Sequence, residues 1–137
     1  MSVILWIATR KGYFVRFRVS EIPRYGRQAK GVRAIKLRNG DEISWMTCMD
    51  GDGEIIIITE NGFAKRTRKN EYRLTNRGSM GVICVRGRNA GNLVAAEFVK
   101  GSEKIIVLME NGEAKVLESK DRVVADRNKG GKKIVNQ

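Results

Sequence analysis

The chain has 137 residues, enough for one domain with a modest core, and its 27 basic against 15 acidic residues give a formal charge of +12. A surplus of that size points first to a polyanionic partner, and nucleic acid fits better than a membrane because no run of about 18 apolar residues is present. The chain has no histidine, and Cys48 and Cys84 lack metal-type or redox-type spacing, so zinc, haem and histidine-based acid–base chemistry are not expected, and neither is any cofactor. Two isolated cysteines and no charged, apolar leader after Met1 fit a cytoplasmic protein.

The first predicted strand is the apolar run at residues 3–9, turned back at Lys11-Gly12 into an alternating strand, Tyr13 to Arg18. A longer polar loop follows, holding Gly26-Arg27-Gln28-Ala29-Lys30-Gly31 and the single proline, Pro23. A third strand, Val32 to Leu37, turns at Asn39-Gly40 into a fourth, Glu42 to Met49. The pattern then starts again. Residues 54–59 answer to 4–9, and residues 104–109 answer to both. Gly12, Gly62 and Gly112 fall fifty apart, as do Gly31, Gly81 and Gly131, and Arg27, Arg77 and Arg127, with no insertion between copies. No sustained 3.6-residue period occurs, so essentially no helix is expected.

Four strands in a fifty-residue repeat predict an all-β, propeller-like array in one domain, 1–137. Blade 1 spans about 3–53, blade 2 about 54–103, and an incomplete blade 3 about 104–137, which lacks a copy of the fourth strand. One blade cannot bury both faces of its sheet, so neighbours must stack on it. The open edge of the third unit calls for a strand from another blade or another chain.

The run Gly26-Arg27-x-Ala29-x-Gly31-Val32-Arg33-Ala34-Ile35-x-Leu37-x-x-Gly40-Asp41 resembles the repeat in the C-terminal domains of DNA gyrase A and topoisomerase IV. The hairpin Thr59-Glu60-Asn61-Gly62-Phe63-Ala64-Lys65-Arg66-Thr67 resembles the first hairpin of the same repeat. The resemblance covers nearly the whole chain and implies a β-pinwheel of about three four-stranded blades here, with strand exchange between blades and a basic rim that wraps duplex DNA. It further implies a non-catalytic accessory module of a bacterial type II topoisomerase, nucleoid-associated, contributing to supercoiling. The family's strand-cleaving tyrosine belongs to a different domain. The family domain has about six blades, and its box, Gln-Arg-Arg-Gly-Gly-Lys-Gly, is only partly matched. Arg27, Lys30 and Gly31 match in the first copy, and Arg77, Gly78 and Gly81 in the second, where Met80 replaces the lysine. The third copy reads either in phase, through Arg127 and Gly131, or shifted by two, as Lys129-Gly130-Gly131-Lys132.

Wrapping needs cations spaced around a curved rim, where they displace counterions from phosphates. Arg27, Arg77 and Arg127 are the first candidates, since a guanidinium can fork onto one phosphate. Lys30, Lys129, Lys132 and Lys133 sit in the same loops beside glycines that either bring backbone amides to a phosphate or only turn the loop into a strand. Arg16 with Arg18, and Arg66 with Arg68, share a face by the two-residue strand period and are further candidates, or else an ordinary solvated face. Trp6, Phe14, Phe17, Trp45, Phe63 and Phe98 read as core, as do both cysteines, whereas Tyr25 and Tyr72 are near enough to the loops to touch a sugar or phosphate. The expected partners are double-stranded DNA, the rest of a type II topoisomerase, and a second copy closing a six-bladed ring; an interaction scaffold whose basic rim docks an acidic protein is the alternative.

Overall fold

In a computed structural model the chain is described over residues 3–24, 30–49, 53–85, 91–100 and 103–118, together with the backbone of 132–133. It is all-β. Among the described residues the strands are β1 (Ile4–Thr9), β2 (Tyr13–Arg18), β3 (Ile43–Met49), β4 (Glu54–Thr59), β5 (Phe63–Arg68), β6 (Val82–Ile83), β7 (Leu93–Val99), β8 (Lys104–Leu108), β9 (Ala114–Glu118) and β10 (Lys132–Lys133). Each unit opens with an antiparallel hairpin because an apolar β-branched run meets a glycine turn. The turn closes in the same way three times, with Gly12, Gly62 and Gly112 donating to the carbonyls of Thr9, Thr59 and Met109 at 3.0, 3.1 and 2.9 Å.

The sheets are assembled across units. The first has the order β3-β1-β2-β6 and the second β10-β5-β4-β7, while β8 and β9 form a two-stranded third. β6 comes from the second unit and completes the first blade, and β10 comes from the third and completes the second. The registers repeat to the residue: Tyr13 lies opposite Ile83 and Phe14 opposite Val82, as Phe63 lies opposite Lys133 and Ala64 opposite Lys132. The donated segment runs along β2 from Thr75 donating to the Arg16 carbonyl at 3.0 Å to Cys84 donating to the Gly12 carbonyl at 2.8 Å.

Contrary to the strand pattern of its residues, Val32 to Leu37 is not a strand of the first blade. By the fifty-residue period it is the counterpart of Val82–Ile83, which joins the sheet of the unit before it. The segment instead lays Ala34 and Ile35 over Leu5, Ile7, Val15 and Phe17, and pairs with the next loop through Gly78 to Ala34 and Lys36 to Ser79, both 2.9 Å. The second unit's copy is also shorter than expected, with strand geometry only at Val82–Ile83.

Strand alternation gives each hairpin two faces. One face of β1–β2, with Trp6, Ala8 and Phe14, packs on Ile55, Ile57, Tyr72 and Cys84 of the second unit. The next junction repeats it, with Ile56, Ile58 and Ala64 against Ile105, Val107 and Leu117. Trp6 anchors the first junction by edge contacts with Phe14, Tyr72 and Phe98 at 5.9, 6.0 and 5.3 Å between centroids. Tyr72 is therefore core, 1 % exposed, with its hydroxyl 2.8 Å from that of Thr67. It is not placed to touch a sugar or phosphate. The cysteines also differ from each other: Cys84 is buried but Cys48 is exposed. Cys48 stands opposite Leu5 as Phe98 stands opposite Ile55, and only Phe98 has a neighbouring blade over it.

Candidate nucleic-acid interface

The fourth strands of the first two blades approach each other, with Ser44 Oγ donating to the Leu93 carbonyl at 3.0 Å and Trp45 5.5 Å from Phe98. The second strands and the donated strands lie on the opposite edge, with the described parts of the segments that join them. Of the candidate residues, Arg18 and Arg68 hold equivalent corners there, at the ends of β2 and β5, and both are exposed. Lys30 is exposed as well. Arg68 borders an open cleft of about 510 Å³ that also takes in Asn70, Lys100 and Arg66.

Three other candidates spend their guanidinium on the protein. Arg16 is half-buried with its head 5.0 Å from the Trp6 ring centroid, a cation–π contact inside the blade junction. Arg66 is half-buried and pairs with Glu54, its Nε donating at 2.7 Å. Arg77 donates from Nε to the Glu21 carbonyl at 3.1 Å and from Nη1 to the Arg33 carbonyl at 2.9 Å, while its amide donates to Glu21 Oε1 at 2.9 Å. It ties one rim loop to the next because two carbonyls of the neighbouring unit come within its reach. Gly81 likewise serves packing: its φ is +81°, and a Cβ there would lie 2.5 Å from the Phe14 carbonyl oxygen. Arg27, Arg127 and Lys129, like Tyr25, lie outside the described residues, as do the side chains of Lys132 and Lys133; the backbone of the last two is β10.

Exposed cations beyond those candidates line the same loops. Arg33 and Lys36 are exposed because the segment carrying them is not enclosed in a sheet, and Arg24 and Arg73 are exposed beyond the short turns that follow β2 and β5. Their signal in the sequence was the basic spacing of residues 33, 36 and 38. Arg38 itself lies over the Tyr13 ring at 3.6 Å and donates to the Met80 carbonyl at 2.6 Å. Three acidic groups are held by the protein: Glu54 pairs with Arg66, Glu21 accepts the Arg77 amide, and Glu42 pairs with Arg10, whose pKa it raises. Cys84, wholly buried, has its thiol pKa pushed up by desolvation against a smaller opposing pull from Lys65. Among the described residues no group of three or more histidine, cysteine or acidic side chains could hold a metal ion, and no helix is long and apolar enough to cross a membrane.

Blades completed by the following unit's strand, with arginines repeated at one outer corner, define a strand-exchanged β-pinwheel module with a basic rim. The chain matches the DNA gyrase C-terminal domain, β-propeller family over residues 5–48 and 53–100, and it belongs to that family. Among solved structures it is similar to the C-terminal domain of DNA topoisomerase IV (TM-score 0.90, 24% identity) and of DNA gyrase A (0.81, 25%). The E. coli ParC C-terminal domain shares the fold (0.72, 13%). These matches cover 99%, 95% and 99% of this chain but only 43%, 42% and 55% of the respective structures. No curated protein matches it.

Proposed function

We propose that the chain binds duplex DNA without sequence preference and bends or wraps it along the rim, as an accessory module of a bacterial type II topoisomerase at the nucleoid. The observation that carries this reading is the exposure of Arg18 and Arg68 at the same corner of successive blades, fifty residues apart. Duplex DNA carries about one charge per 1.7 Å of axis, so evenly repeated cations on a curved edge meet phosphates without reading bases. Lys30, Arg33 and Lys36 extend that line along the first loop, and Arg73 along the second. Arg27, Arg127, Lys129, Lys132 and Lys133 are added to it as the basic residues of the first and third rim segments. The module contributes no chemistry of its own in this reading. Cleavage and strand passage belong to the rest of the enzyme.

Two measurements test it. Duplex affinity should fall steeply with salt; absence of submicromolar binding at low salt overturns the DNA reading. Ligation of nicked circles in the presence of the protein should shift the linking number; binding without a shift overturns wrapping alone.

A further inference from the structure

The cleft beside Arg68 is a feature of the second unit alone. It opens where the start of β4 meets the ends of β5 and β7, and Arg68, Asn70, Lys100 and Gly53 line it beside the ion pair of Arg66 with Glu54. Its cations differ in what they are already doing. Arg66 is committed to Glu54, to which its Nε donates at 2.7 Å, so that pair forms a wall with little net charge. The guanidinium of Arg68 and the ammonium of Lys100 are exposed and have no hydrogen-bond or ion-pair partner among the described residues. Lys100 is held at its backbone instead, where its amide donates to Glu103 Oε2 at 2.6 Å. Two uncommitted cations and a carboxamide around one cleft suit an anion that accepts several hydrogen bonds at once, which a phosphate group does on its unesterified oxygens.

The fifty-residue period shows that the other units do not build this corner. The first keeps the arginines, as Arg16 and Arg18, but has Val3, Ile4 and Ser20 for Gly53, Glu54 and Asn70, and Asp50 in place of Lys100. Gly53, at φ +136°, brings no side chain into the cleft where the first unit has a valine. The third unit replaces Arg66 and Arg68 by Val116 and Glu118, and Glu118 stands 3.9 Å from Lys104. The corner arginine is repeated; the lysine across from it is not.

We propose that this cleft seats one phosphate group, with Arg68 and Lys100 on its charged oxygens and the Asn70 side-chain amide donating to it. The duplex backbone is the source that the rim brings to it, and in that respect the proposal rests on the DNA-binding reading; free phosphate has the same chemistry. With a backbone phosphate in the seat, the second blade grips the duplex more firmly than the first.

NMR titration of the isotope-labelled full chain with inorganic phosphate, at an ionic strength held constant with chloride, should give saturable shifts centred on the amides of Gly53 and Lys100 and on the Asn70 carboxamide. Equal shifts with chloride alone, or shifts scattered over all exposed cations, overturn the seat. With duplex, Lys100→Ala should lower the slope of log affinity against log salt by about one. Asn70→Ala removes no charge and should weaken duplex binding about threefold at an unchanged slope. Arg68→Ala joined to Lys100→Ala should lose less than the product of the two single losses, whereas Arg68→Ala joined to Lys36→Ala, in the first unit, should lose that product. A plain product for Lys100→Ala as well overturns the shared seat. Phosphate shifts without any effect of Lys100→Ala and Asn70→Ala on duplex binding assign the seat to free phosphate and overturn the backbone as its source. If the chain binds no duplex at all, the DNA-binding reading fails, while the phosphate titration still decides the seat.

Discussion

Arg77 and Arg68 are both rim arginines of the second unit, and the structure separates them by where their donors go. Arg77 holds two carbonyls of the neighbouring unit, so Arg77→Ala should cost about 1–3 kcal/mol of stability in thermal or denaturant unfolding. Arg77→Lys should recover only part of this, because an ammonium cannot span two acceptors as a planar fork does. Arg68→Ala should leave stability nearly unchanged and lower the slope of log affinity against log salt by about one, the mark of a lost phosphate contact. The pair of measurements tells a loop staple from a DNA contact, which affinity alone does not. The cysteines offer a second residue-scale check. Cys84 is fully buried with a raised pKa and Cys48 is exposed, so a thiol reagent at neutral pH should modify one cysteine in the native chain and two after unfolding.

At the scale of elements, the donated segment is the part of the fold most exposed to a single change. Gly81→Ala forces a side chain into left-handed backbone and against the Phe14 carbonyl, so it should destabilise by more than about 1 kcal/mol and loosen amide protection along β2. The hairpins themselves were legible in the sequence, because β-branched alternation and a glycine turn are local signals read at a period of two. Exchange of strands was legible only through the resemblance and the missing fourth strand of the third unit. Local pattern makes Val32 to Leu37 a strand, but whether it joins a sheet depends on a neighbouring unit that pattern does not report. The same limit explains Tyr72 and Arg77: burial of the one and bonding of the other arise where loops about fifty residues apart dock, as Thr75 on Arg16 and Gly78 on Ala34 show. Among the described basic candidates, those at strand ends stayed exposed, while Arg16 and Arg66, one step inward, were claimed by Trp6 and Glu54.

For the whole molecule the question is how much DNA one chain can curve. Smooth bending of a 20–30 base-pair site costs about 1–6 kcal/mol, and it must be offset by contacts formed on several blades at once. The described residues of a single chain form two four-stranded sheets and a hairpin, so binding and wrapping need not have the same stoichiometry. If several chains must engage one duplex to curve it, the linking-number shift in the ligation assay should rise more steeply than first order in bound protein. A shift that stays first order in bound protein would show that one chain suffices to curve DNA.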